Sequence, residues 1–273
     1  MDIAEKLAKI AENEQKVYDS GKAKAFSEVE AVNSELEQIL YGKDTGGKGF
    51  YDEFWDAYQN NGKRNNYQYA FANEGWNDTT FKPKYDIVLH KGYTASNMFT
   101  ICGITDISAA LERQGVKLDT SKCGYFSGMF QNSKSVTRIP VIDFSSAHEY
   151  ANSLGYVFYG CTAEAIDKII INEQTVFVNA SSFNSCANLK NVIFEGTLGQ
   201  NGLNLQWSKQ LSRASITSVI NALSSTTSGL TVTLSLAAVQ KAFETSEGAN
   251  DGNNSDEWNT LIATKNNWTI SLV

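Results

Sequence analysis

The chain has 273 residues, 42% of them hydrophobic and 11% aromatic, enough for one large domain or two to three small ones with a solid core and too apolar for a disordered chain. Its net charge of −7 argues against nucleic acid or an anionic membrane as the main partner. No apolar run approaches the length of about 18 residues that a membrane span needs, and the start, Met1-Asp2-Ile3-Ala4-Glu5-Lys6, lacks the basic end and apolar block of a signal peptide. The chain is therefore expected to be made and kept in a cytoplasm, unless it leaves inside a particle or by lysis.

Residues 1–42 carry apolar positions at Ile3, Leu7, Ile10 and Val17, then at Val29, Val32, Leu36 and Ile39. The alternating four and three spacing is a coiled-coil seam, with the second run one residue out of register. Two readings stay open here: an amphipathic hairpin lying on the domain, or an oligomeric stalk. The almost wholly polar surroundings favour the stalk and a homo-oligomer. Residues 43–49 are a glycine-rich linker, because so many glycines hold neither helix nor strand. Phe50, Phe54, Trp55 and Tyr58 then fall at helical spacing, ending at Gly62. Phe71 and the run Tyr85-Asp86-Ile87-Val88-Leu89 read as a degenerate first repeat, so 50–94 is expected to form an N-terminal cap.

From 95 to 200 one pattern comes round four times. A phenylalanine is followed three positions later by cysteine or serine: Phe99/Cys102, Phe130/Ser133, Phe158/Cys161, Phe183/Cys186. Five to eight residues after each phenylalanine comes an apolar triplet: Ile104/Ile107/Ala109, Val136/Ile139/Val141, Ile166/Ile169/Ile171 and Leu189/Val192/Phe194. The phenylalanines are 31, 28 and 25 residues apart. Units this short cannot close their own cores, and the loose period predicts an α/β solenoid. Three of the four cysteines share one slot of successive units, so they read as reduced, buried thiols in an inward column. Asp119/Ser121 and Asp143/Ser145 have the spacing of side chains that bond the backbone of a tight turn.

After 200 the pattern changes, and 201–273 is expected to form a small C-terminal α/β cap. Ser212 caps a helix with Ile216, Val219, Ile220 and Leu223 on one face. Thr231 to Leu234 reads as a strand, Ser235 to Phe243 as a helix, Glu257 to Ala263 as a helix and Trp268 to Leu272 as a strand.

Catalytic constellations are not legible. His90 and His148 have no nucleophile or ligand partner at motif spacing, and no phosphate-cradling glycine loop precedes a Lys-Ser/Thr pair. Ala180-Ser181-Ser182 lacks the glycines of a nucleophile elbow. The carboxylate pairs Asp52/Asp56 and Asp251/Asp256 fit exposed acidic faces, and the loop from Asp251 to Asp256 departs from the EF-hand order. No cofactor, no metal and no enzymatic activity are expected.

The triplets do offer a surface. The position between the last two apolar residues of each points outward, giving the column Ser108, Pro140, Ile170 and Ile193, three of them apolar. Either a ligand or a covering subunit or end block would account for it. Tyr125, Tyr156 and Tyr159 form a second candidate surface, since hydroxyl-tipped aromatics suit sugar or protein recognition.

The unit Phe183-Asn184-Ser185-Cys186-Ala187-Asn188-Leu189-Lys190-Asn191-Val192-Ile193-Phe194 resembles the bacterial-surface leucine-rich repeat of the BspA type, well over 97–196 and poorly over 69–94. The spacing is more irregular than in that family, and Ala110 to Val116 is inserted. The whole layout is also similar to leucine-rich-repeat proteins encoded by phages of gut bacteria, through Tyr51-Asp52-Glu53-Phe54-Trp55-Asp56-Ala57-Tyr58, Phe81-Lys82-Pro83-Lys84-Tyr85-Asp86-Ile87-Val88 and the ending Trp258-Asn259-Thr260-Leu261-Ile262-Ala263-Thr264. These resemblances imply an irregular leucine-rich-repeat solenoid in a virion-associated tail, baseplate or head appendage. It would dock to other virion proteins through the N-terminal helix and bind a host-surface protein or glycan through the repeats, with no catalytic residues to carry over. The start lacks an export signal, which favours the virion over a bacterial surface adhesin; an adhesin, or less readily a polysaccharide-degrading enzyme, is the alternative.

Overall fold

The computed structural model describes residues 8–10, 12–13, 67–83, 86–89, 91, 94–147, 151–178, 181–244 and 255–273. Of the eight seam residues only Ile10 lies within this set, in helix and buried. Ile3, Leu7, Val17, Val29, Val32, Leu36 and Ile39 lie outside the described residues, as do the linker 43–49, Phe50 to Tyr58, His90, His148 and Asp251.

Among the described residues from 67 onward, the elements in chain order are β1 (Ile87–Val88), α1 (Ile107–Gln114), β2 (Leu118–Asp119), β3 (Arg138–Ile139), β4 (Ile142–Asp143), β5 (Ala165–Ile171), β6 (Asn191–Gly196), β7 (Asn204–Leu205), α2 (Arg213–Ala222), β8 (Leu230–Leu234), α3 (Leu236–Phe243), α4 (Asp256–Ala263) and β9 (Trp268–Leu272). Every named strand pairing is parallel. β1 pairs with β2 alone; β5 takes β3 and β4 along one edge and β6 along the other; β7, β8 and β9 form a third sheet.

This arrangement corrects the expected fold class. The described residues form a mixed α/β fold with three separate small parallel sheets, and the leucine-rich-repeat solenoid expected from the spacing is not what forms. The reason lies in the triplets. The first, Ile104/Ile107/Ala109, enters a helix: Asp106 accepts from the backbone of Ala109 at 2.7 Å as N-cap, and Gly115 at φ 67° ends α1. In the second, Pro140 has no N–H to donate, and the run splits into β3 and β4. Val141, expected to face inward, is consequently 41% exposed, while Ile142 is buried. Only the third and fourth runs make strands of seven and six residues.

What the phenylalanines build is a column of stacked turns. Phe71, Phe99, Phe130, Phe158 and Phe183 are buried. Their successive ring centroids lie 5.1, 5.3, 5.5 and 4.9 Å apart, with planes within 29° of parallel. Alternate backbone amides bond from one turn to the next, as from Asn97 to Ser127, Phe99 to Met129 and Ile101 to Gln131. Between these, the chain closes i-to-i+3 turns, so the residues two before and two after the rings of Phe71, Phe99, Phe130 and Phe158 reach positive φ, as Asn97 and Ile101 do at 53° and 54°, while at Phe183 only Ser185, two after it, does. The four cysteines are buried and free, and Cys186 Sγ donates to the carbonyl of Phe158 at 2.9 Å.

One hydrophobic core runs from Tyr67 to Trp268 and takes in the inner faces of β8 and α2. Beyond Gly196 the expected elements form nearly as read. Ser212, Ser235 and Ser255 cap α2, α3 and α4 by accepting from the third residue onward, and Ile216, Val219 and Ile220 face the core.

Candidate functional site

Because α1 stands where a strand would otherwise lie, it leaves a groove between itself and the outer face of the sheet. The groove has a volume of about 630 Å³. Ser108, Leu111 and Glu112 of α1 form one wall; Pro140, Val141, Asp143, Asp167 and Ile170 form the other; Asp86, Val88 and the stretch 116–121 close the end.

The two walls are tied together by Arg138. Its Nε donates to Asp167 Oδ1 at 2.7 Å and its Nη2 to Asp167 Oδ2 at 3.1 Å, a bidentate pair whose geometry a lysine could not reproduce. The same Nη2 reaches Glu112 Oε1 on α1 at 3.2 Å. Ser108 Oγ, also on α1, donates to Asp167 Oδ2 at 2.5 Å. The hydrogen bond to Asp167 pushes the Arg138 pKa above its already high ordinary value, with the nearby carboxylates adding to it. Asp167 is therefore a fully engaged clamp, and α1 is fixed to β5 across a separation of 59 positions in sequence.

The remaining carboxylates are only half engaged. Asp86 Oδ1 accepts from the backbone of Lys117 at 2.8 Å. Asp119 Oδ1 accepts from the backbone and hydroxyl of Ser121 at 3.0 and 2.7 Å, and Asp143 Oδ1 from the backbone of Ser145 at 2.8 Å. These last two are the Asp/Ser turns read from the sequence. In each of the three, the second oxygen has no partner among the described residues. Thr120 locks the neighbouring turns together, donating to the carbonyl of Asp143 at 3.1 Å and accepting from its amide at 2.7 Å.

Among the described residues the groove thus has five carboxylates (Asp86, Glu112, Asp119, Asp143, Asp167) against Lys117 in its lining and Arg138 behind it, a balance of 5 − 2, or three negative charges. Its apolar part is Val88, Leu111, Val116, Leu118, Pro140, Val141 and Ile170, and no aromatic side chain lines it among the described residues. No group of three or more His, Cys, Asp or Glu among the described residues is placed to hold a metal ion. Chemically the site offers acceptor oxygens beside an apolar strip.

Three of the four residues of the expected outward column meet here. Ser108 and Pro140 are buried at the base of the walls and Ile170 is half-buried. The fourth, Ile193, is 40% exposed and lies outside the groove. The tyrosines are elsewhere: Tyr156 is exposed and packs edge-on against Tyr159 with centroids 5.5 Å apart, while Tyr125 is half-buried and bridges to Thr94. The acidic members were missed in the sequence because each looks like an ordinary turn or helix-surface residue. The pairing Arg138/Asp167 had one signal, their separation of 29 positions, close to the spacing of successive phenylalanines.

A smaller cleft of about 420 Å³ lies between α2, α3 and α4, where Arg213 covers the Phe243 ring at 5.2 Å and bonds Glu257 at 2.6 Å. No helix among the described residues is long and apolar enough to cross a membrane. No protein-family model, curated protein or solved structure matches the chain.

Proposed function

We propose that the chain is a non-enzymatic virion appendage of a phage, recognising a molecule of the host surface through the groove beside α1 and docking to the particle through residues 1–42. The observation that carries the recognition role is the groove itself. Its walls are tied together and fixed by the Arg138–Asp167–Ser108 clamp, so the surface is organised before a ligand arrives and little ordering is needed on binding. The phage setting rests on the resemblance of the layout to phage-encoded repeat proteins.

Two measurements test the reading. The chain is expected in purified particles in constant stoichiometry to the major structural proteins, by quantitative mass spectrometry. The isolated full chain is expected to be retained by intact host cells and lost from them when Arg138→Ala opens the clamp. Absence from purified particles sinks the virion role. Turnover of capsule polysaccharide that stops on changing Asp143 would replace binding by catalysis.

A further inference from the structure

We infer that the groove beside α1 takes an extended basic peptide segment of a partner protein, with lysine or arginine heads facing Asp86, Asp119 and Asp143 and their alkyl stems on Pro140, Val141 and Ile170. This rests on the reading of the chain as a surface-recognition module and names the chemistry that module accepts.

Charge complementarity is the first ground. Asp119 and Asp143 each use one oxygen to hold a local turn, Asp86 uses one to accept from the distant Lys117 backbone, and each leaves the other oxygen unpartnered among the described residues. Arg138 is committed to Asp167 and Glu112, so it does not neutralise these three, and among the described residues Lys117 is the single basic residue of the lining. Such a concave, net-negative site concentrates field lines and draws cations.

Shape is the second ground. An apolar strip running beside separated carboxylates matches a side chain that is apolar along its stem and charged at its tip, which is how lysine and arginine lie on mixed surfaces. Val141 is exposed where its neighbours Pro140 and Ile142 are buried, so its side chain is free to meet such a stem. A glycan fits the described lining less well, because sugar rings stack on aromatic faces and none is present among the described lining residues. A bare metal ion fits it less well again, since the carboxylates do not converge.

The test is titration calorimetry of the full chain with an end-blocked hexapeptide alternating lysine and valine, beside its glutamate–valine counterpart. The lysine peptide is expected to saturate and the glutamate peptide to give no heat. The lysine affinity is expected to fall at least about fivefold when salt is raised from about 0.05 to 0.3 M. In Asp119→Asn/Asp143→Asn the amide oxygen still accepts the turn hydrogen bonds while the charge is gone, and the affinity is expected to drop about tenfold or more. Lys117→Gln removes the opposing charge and is expected to tighten binding, which a merely misfolded chain would not do. The inference is overturned if the lysine peptide does not bind, if the double substitution leaves binding unchanged, or if a neutral oligosaccharide displaces the peptide. Wild-type chain that is retained by host cells but ignores the lysine peptide refutes the basic-peptide assignment and leaves recognition standing. Chain that binds the peptide in the groove but neither cells nor particles does the reverse.

Discussion

Phe99 and Phe130 lie with their rings parallel, 0° between the planes and 5.3 Å between centroids, although 31 residues separate them. Phe158 continues the stack at 5.5 Å on the other side of Phe130. The middle ring is fully buried and meets aromatic faces above and below, so its removal leaves a cavity that neither neighbour can fill without breaking its own stack. Phe130→Ala is expected to cost about 3–5 kcal/mol, read from chemical denaturation. A loss under about 1 kcal/mol would mean that the column is not a continuous core.

Gly196 stands opposite Ile171 in the β5–β6 pairing at φ 105°, where a Cβ would overlap the Ile171 carbonyl oxygen. Backbone cannot step aside as a side-chain tip can. Gly196→Ala is expected to destabilise by about 2–4 kcal/mol, against about 1 kcal/mol for Gly115→Ala. The second glycine also has positive φ, at 67°, but has nothing within 4 Å of an added methyl group. Equal losses in the two variants would remove the close approach as the cause.

Ile101 is a β-branched residue at φ 54° whose side chain is 51% exposed. The corresponding places in neighbouring turns hold Asn73, Asn132 and Gly160, residue types that tolerate this backbone region. Ile101→Asn is therefore expected to raise stability by about 1 kcal/mol in thermal or denaturant unfolding. Destabilisation instead would show that the isoleucine packs in a way its exposure does not reveal.

Burial pushes the Cys102 and Cys123 thiols up to about 11 and Cys161 to about 12, and Cys186 well above its ordinary value. At pH 8 a thiol reagent is expected to label the native chain about 100-fold more slowly than the unfolded one, because the thiolate is the reacting form. The folded state favours the protonated thiol, so this contribution to stability is complete below the ordinary value of 9.0 and is lost as pH rises from there towards 11 and 12. Denaturation midpoints at pH 8 and pH 10 give the check, and a higher midpoint at pH 10 would contradict the sign.

Particular residues show where the sequence was readable. Ser212 and Ser235 cap helices that start one residue later, since a cap acts on backbone groups within its own turn. Asp119/Ser121 and Asp143/Ser145 close the turns their spacing implied, for the same reason. The Ile104/Ile107/Ala109 run reads in the sequence as the apolar triplet of a repeat, with Ser108 facing outward. Ile107, Ala110 and Leu111 are the buried face of α1, and the signals for it, Asp106 before and Gly115 after, were present in the sequence. The charged lining of the groove was not legible at all, because Ser108, Arg138 and Asp167 meet only through the lateral pairing of segments far apart in the chain.

By itself the sequence determined the positions of the phenylalanines and small residues that interlock, the caps and turns, and the order of helices and strands after Gly196. Each of these depends on contacts within a few residues or on a recurring spacing. Only the tertiary structure decided that the parallel pairing among the described residues divides into three sheets, that α1 rises to make one wall of a groove, and that half-satisfied carboxylates gather there. The physical reason is that lateral register and helix placement are set by the packing of distant segments against a shared core, which no local pattern encodes.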